Sequence, residues 1–288
     1  DPQRVTGQFH CRREAAVQIE EIDIADGQAR LGQRLLAGQG QGRRAVVIDV
    51  IHGAQFGNAF AATTQIDPAG RGYAQTAGRA HRSEDHRCCL VHPFLGIHAA
   101  ASRPRGAIIL VHGSGVHPDF ATVGQLRTLL NDAGFTTLSI QMPVLAADAP
   151  GENYRALFAE AGERIAAAIG WLRAKQPTRV ALVSHSMGAR MALDYVKRHP
   201  DAPLAAWVSL AISDGELADL PRTAFPVFDV YAEKDFPAVL ANRERRAAAL
   251  RGMSGSKQVM VFGADHFFAG KEKELSMLLA DLLAPTMK

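Results

Sequence analysis

Residues Arg179 to Arg190 read R-V-A-L-V-S-H-S-M-G-A-R, and the fold turns on how that stretch is parsed. Val180, Ala181, Leu182 and Val183 form a short apolar run, the pattern of a strand buried on both faces. From Met187 to His199, residues Met187, Met191, Ala192, Tyr195 and Val196 recur at helical spacing and mark one face of an amphipathic helix. A strand that turns directly into a helix has no room for bulk on either side of the turn. Ser184 and Gly188 are the small residues two positions before and after Ser186, so the backbone can pass. The apex residue is then forced into a strained, exposed conformation. A serine hydroxyl placed there stands clear of the sheet, as in a nucleophile elbow, with serine at 184 where that pattern has glycine. An apex at Ser184 would put Leu182 where a small residue is required, so Ser186 is the apex.

Outward from this unit the chain alternates strand and helix. Ala107 to Val111 reads as a second buried strand and ends in His112-Gly113-Ser114-Gly115. Before it, Leu95 to Ala99 reads as a first strand. Ala121 to Ala133 carries Val123, Leu126, Leu129 and Leu130 on one face, with Gly134 as a C-terminal stop. Phe135 to Ile140 is a strand, and Tyr154 to Lys175 reads as one long helix. Beyond the elbow, strands are expected at Leu204–Leu210, Pro226–Tyr231 and Val259–Phe262. Helices are expected at Ala238–Arg251 and Glu272–Leu283. Repeated strand–helix units with apolar strands specify a doubly wound, mostly parallel α/β sheet with helices on both faces.

In such a sheet, chemistry gathers at the carboxyl ends of the strands. Gly113 and Gly115 let the backbone approach a bound group there, and the amide of Ser114 or Gly115 could face a developing oxyanion. The amide of Met187, at the start of the elbow helix, supplies a second donor. A serine nucleophile needs a base, and the base needs an orienting group. His266, in G-A-D-H-F-F, comes after the last strand and emerges on the same edge as Ser186. His112 reads instead as a support for the glycine loop, His185 is too close in sequence to turn onto Ser186, and His117 is less well placed. Asp235, in Y-A-E-K-D-F-P, leaves the sheet before the histidine strand and gives the chain order Ser, Asp, His. Glu233 is the reserve acid. Asp229 and Asp214 are weaker candidates, and Asp265 is expected to shape the histidine loop.

Residues 1–93 differ in kind. They contain no lysine, methionine or tryptophan and are crowded with Arg, Gln, Gly, Ala and His. Ala45 to Ile51 is strand-like and Val17 to Ile24 alternates weakly. The abrupt change at the boundary favours an N-terminal extension, poorly ordered or out of frame with the rest of the chain, over a small subdomain. Residues 94–288 form the main domain. His81, His86, Cys88, Cys89 and His92 lie close together, but their spacing matches no structural zinc pattern, so an exposed loop is the expectation. A net charge of +3 on 288 residues implies no nucleic-acid partner. No apolar run has the length of a membrane helix, and no signal peptide is visible, so cytoplasmic and periplasmic settings both stay open. Nothing in the sequence bears on oligomeric state.

From about Gly106 onward the chain resembles the α/β-hydrolase superfamily. The residues that carry the resemblance are H-G-S-G at 112–115, S-H-S-M-G at 184–188, Y-A-E-K-D ending at Asp235, and G-A-D-H ending at His266. H-G-S-G-V-H-P-D-F and Q-M-P-V-L further resemble a bacterial group of hydrolase-like proteins. The resemblance implies a serine hydrolase without a dissociable cofactor or metal, acting on a small-molecule acyl substrate such as a carboxylic ester or thioester. Ser186 would attack the acyl carbon, His266 would take and return the proton, and Asp235 would hold the imidazole. The amides of Ser114 and Met187 would form the oxyanion hole. The short link between Leu210 and Pro226 leaves no space for a large cap. The loop from Gln141 to Glu152 is expected to form one wall, with Met142, Pro143, Val144 and Leu145 as an apolar rim, so Gly115, Met142 and Leu145 are candidate substrate contacts. The reading from a different class is a catalytically silent, hydrolase-like binding or envelope-associated module. An intact serine, aspartate and histidine argue against it.

Overall fold

A computed structural model describes residues 94–288 other than 147, 148, 176, 177 and 214, and, before residue 94, the backbone of the strands alone. The main sheet contains nine strands: β1 (Ala16–Asp23), β2 (Arg43–Ile51), β3 (Phe94–Ala99), β4 (Ala107–Val111), β5 (Thr136–Ile140), β6 (Val180–His185), β7 (Ala206–Leu210), β8 (Val227–Lys234) and β9 (Lys257–Asp265). Their spatial order is β1-β2-β3-β5-β4-β6-β7-β8-β9. The ladders from β5 through β9 are parallel, whereas β1, β2 and β3 continue the sheet in antiparallel pairs. This is the doubly wound, mostly parallel architecture read from the sequence, and residues 43–51 and 16–23 lie on its antiparallel side.

Two helical layers cover the sheet because consecutive strand residues point to opposite faces. Ile108 and Leu110 of β4, with Ala181 and Val183 of β6, pack against α1 (Ala121–Asp132) and the last helix, α6 (Glu272–Leu283). Ile109, Val111 and Leu182 pack on the other face, against α2 (Phe158–Lys175) and α3 (Met187–Arg198). That double burial explains why β4 and β6 are uninterrupted apolar runs. The chain passes from β4 through α1 to β5 on one side, then through α2 to β6 on the other. The carboxyl ends of β4 and β6 therefore flank a topological switch point. Val111 is level with Ser184 in their shared ladder, so the loops that leave the two strands start side by side.

Two expected helices differ in detail. The segment predicted as one helix from Tyr154 begins as a 3-10 turn, Gly151–Leu157, which Pro150 leads into, and becomes α-helical at Phe158. The segment predicted from Ala238 to Arg251 is two short helices, α4 (Pro237–Ala241) and α5 (Arg243–Leu250). Asn242 interrupts them at φ −101°, ψ 2°. Its side-chain amide donates to the carbonyl of Ala238, a local bond of the kind that competes with helix continuation. The link from β7 to β8 holds only the 3-10 turn Gly215–Asp219, so no cap domain is inserted there.

Helix α5 is tied to the sheet by a buried ion pair. Arg246 Nε donates to Asp229 Oδ2 at 2.8 Å, and both side chains are fully inaccessible. Arg246 also donates to the carbonyl of Val239, and Gln258 donates to the same Asp229 oxygen. Burial pushes the Asp229 carboxyl above its usual range, while Arg246 pulls it back. Replacing Arg246 with Met should lower the unfolding free energy by about 3–5 kcal/mol, because it strands a buried carboxylate. The double variant Arg246→Met/Asp229→Leu should recover most of that loss. Chemical denaturation of the three proteins checks this, and a single variant as stable as wild type would contradict it.

Candidate active site

Ser186 occupies the turn between β6 and α3 at φ 55°, ψ −119°, a conformation that non-glycine residues rarely adopt. Three close contacts hold it. Its amide donates to the carbonyl of Leu210 at 2.9 Å, and its own carbonyl accepts from the amide of Ala189 at 2.9 Å. Gly188 lies so near β4 that an added Cβ would sit 2.2 Å from the carbonyl oxygen of His112 and 2.7 Å from Val111 Cγ1. Only glycine fits at that approach. At the other small position, serine is present for a reason. The Ser184 hydroxyl, fully buried, accepts the indole N–H of Trp207 at 2.9 Å and satisfies a donor that would otherwise be stranded in the core. Sequence reading saw only that Ser184 was small.

Three side chains from three strand ends converge. Ser186 Oγ lies 3.0 Å from His266 Nε2, and His266 Nδ1 lies 2.6 Å from Asp235 Oδ1. The histidine and the aspartate are both buried, while Ser186 keeps partial access to solvent. Asp235 is fixed from behind: its Oδ2 accepts the amide of Ala232 at 3.1 Å and its Oδ1 the amide of Phe236 at 2.8 Å. An Asp–His contact through Nδ1 directs the other ring nitrogen, Nε2, to the serine as an acceptor. The reserve acid does not compete, because Glu233 Oε2 accepts the amide of Gly263 at 2.9 Å. Asp265 shapes the histidine loop as expected, accepting the amides of Phe267 and Ala269. Asp229 faces Arg246, and Asp214 lies outside the described residues.

The two other histidines that are buried among the described residues are held by backbone groups. His112 donates through Nδ1 to the carbonyl of Gly113 at 2.8 Å and accepts the amide of Met142 at Nε2, 2.9 Å away. It thereby binds the glycine loop to the strand beside it. His185 donates through Nε2 to the carbonyl of His266 at 2.9 Å, which anchors the histidine loop against the elbow strand. Burial lowers each pKa from 6.5 to about 4, so both rings are neutral at physiological pH.

Gly115 has a φ of +69° and open space on its Cβ side, but its amide donates to the Tyr154 hydroxyl at 3.1 Å. The same hydroxyl accepts the amide of Leu145 at 3.3 Å, so Tyr154 joins the glycine loop to the wall loop. Sequence reasoning missed this residue, which carried no motif. The expected rim is only partly present. Met142 is 1% exposed and belongs to the core, and Pro143 is buried with it, so neither forms a rim. Their burial results from the bond that pulls the Met142 amide onto His112. Val144 and Leu145 are half-buried and do reach the surface. Phe236 and Phe267, the immediate neighbours of Asp235 and His266, are each 49% exposed beside the histidine. Their adjacency to those residues in the chain was the signal that could have found them.

No group of His, Cys, Asp or Glu among the described residues is arranged to hold a metal ion. The His- and Cys-rich stretch from His81 to His92 lies outside the described side chains. Among the described residues no helix is long and apolar enough to cross a membrane.

Comparison with known proteins agrees with the topology. The model of the dienelactone hydrolase family matches residues 143–281, and that of a family described as protein of unknown function (DUF3530) matches residues 93–163. A search of curated proteins found no match. Among solved structures, a dienelactone hydrolase from Anabaena variabilis superposes with a TM-score of 0.58 at 20% identity, covering 73% of this chain and 97% of that one. A lidless α/β serine hydrolase from Xanthomonas campestris gives 0.53 at 17% identity, covering 68% and 90%. A monoacylglycerol lipase from Paleococcus ferrophilus gives 0.51 at 14% identity, covering 67% and 99%. At these identities the likeness shows a shared fold.

Stability should depend on the two neutral histidines. An unfolded chain binds a proton at each below pH 6.5, whereas the folded chain resists until about pH 4, so stability is full above 6.5 and falls as pH drops through that window. The loss should reach roughly 3 kcal/mol per histidine. Denaturant unfolding at pH 7.5 and 4.5 measures it, and a His185→Gln variant should lose less than wild type does. An equal drop in both proteins would contradict the assignment.

Proposed function

We propose that this chain, which has the α/β-hydrolase fold, is a serine hydrolase that cleaves a carboxylic ester or a similar acyl bond. The observation that carries the reading is the continuous line from Ser186 Oγ to His266 Nε2 at 3.0 Å and from His266 Nδ1 to Asp235 Oδ1 at 2.6 Å, with the serine held at φ 55°. The match to the dienelactone hydrolase family supports a hydrolase.

The geometry suits one sequence of steps. His266 takes the Ser186 proton as Oγ attacks the acyl carbon, and Asp235 stabilises the resulting imidazolium while holding its orientation. The tetrahedral oxyanion meets the amide of Met187, the first residue of α3, whose N-terminal N–H groups have no partner within the helix. The second donor is the amide of Ser114. Gly115 is less suited because its N–H already donates to Tyr154. His266 then passes its proton to the departing alcohol, and water cleaves the acyl-enzyme by the same steps in reverse. The glycine loop borders the site, since a Cβ added at Gly113 would lie 3.4 Å from Ser186 Cβ. Gly115 and Leu145 are joined to each other through Tyr154, and the link from β7 to β8 inserts no cap that would bar a small acyl ester.

Hydrolysis of a short-chain aryl ester, with substrate in excess, tests the assignment. Ser186→Ala should lower kcat by roughly a million-fold, with thermal unfolding close to wild type, and Asp235→Asn should lower it by about ten-thousand-fold. Retention of full activity by Ser186→Ala would overturn the reading.

A further inference from the structure

Two phenylalanines surround the buried histidine in a way that the proton relay itself does not require. The ring of Phe236 stacks on His266 with centroids 4.0 Å apart and planes 15° from parallel. Phe267 meets the same imidazole edge-on, at 5.1 Å and 88°, and the two phenyl rings stand 6.1 Å apart at 86°. Each ring is nevertheless half exposed, whereas His266 is 3% exposed. Large apolar side chains left in water beside a reacting group point to a ligand. If their task were only to shield the imidazole, burial of the rings themselves would serve it better.

The chemistry of the relay decides what that ligand is. In acyl transfer the Ser186 Oγ–carbon bond forms and the carbon–oxygen bond to the alcohol breaks, and the proton on His266 Nε2 goes to the departing oxygen. That oxygen must therefore lie within hydrogen-bond reach of Nε2, and the group it carries must pass beside the imidazole. The exposed apolar surfaces in contact with this imidazole are Phe236, stacked on it, and Phe267, at right angles to it. The acyl portion is left to the side of the glycine loop, where a Cβ added at Gly113 would lie 3.4 Å from Ser186 Cβ.

We propose that Phe236 and Phe267 form the subsite for the alcohol part of the substrate, and that the preferred substrates are esters of aromatic or similarly flat, unsaturated alcohols. This rests on the reading of the chain as a serine hydrolase. Two rings at right angles offer a flat group one stacked and one edge contact, which an alkyl group cannot make. Such contacts contribute beyond simple area burial.

The test compares phenyl acetate with hexafluoroisopropyl acetate, whose alcohols have comparable acidity and which yield the same acetyl-enzyme. The ratio of their kcat/KM values reports the step in which the alcohol leaves. Wild type should favour the phenyl ester by about tenfold, and Phe236→Leu and Phe267→Leu should each cut that ratio roughly three- to tenfold. A wild-type ratio near one, or a ratio unchanged in both variants, would overturn the subsite while leaving the hydrolase reading intact. Hydrolysis of neither ester by folded wild-type protein would remove both.

Discussion

The site depends on one strained residue. Ser186, held at φ 55°, ψ −119°, carries a backbone cost of order 1–3 kcal/mol that persists only where the surroundings over-determine it. Here they do. The carbonyl of Leu210 at the end of β7 takes the Ser186 amide, and α3 starts at once. Gly188 lets that helix press against the His112 carbonyl at the end of β4. Three adjacent strands thus define where the hydroxyl stands. Relaxing any of these contacts would let the turn open and carry the serine away from His266.

The same strand edge sorts its histidines by their partners rather than by their distance from the serine. His112 and His185 sit close to the elbow, yet each is engaged by backbone groups and is kept neutral by burial. His266 alone of the three joins a carboxylate to a hydroxyl. His185 also supports His266 through the carbonyl of that residue, so one structural imidazole positions the loop of another. Buried polar groups here form connected sets, which is how a low-dielectric interior tolerates them.

Much of this was legible in the sequence because it obeys local rules. Continuous apolar runs at 107–111 and 180–183 fit strands covered on both faces, and the spacing of Ser184, Ser186 and Gly188 fits a tight strand-to-helix turn. The order of Asp235 and His266 after later strands then places them on the same edge. What escaped depends on tertiary contacts. No local pattern tells that the Ser184 hydroxyl meets an indole from the next strand, or that Tyr154 reaches back to Gly115. Met142 looks like an exposed loop residue until its amide is seen bound to His112, which draws it into the core. Asn242 splits a helix that composition alone would continue.

The central claim is that Ser186 is an activated nucleophile, and covalent labelling tests it most directly. Intact-mass analysis after exposure to a fluorophosphonate should show a single adduct on the wild-type protein and none on Ser186→Ala. No adduct on folded wild-type protein, or an equal adduct on the variant, would contradict the account.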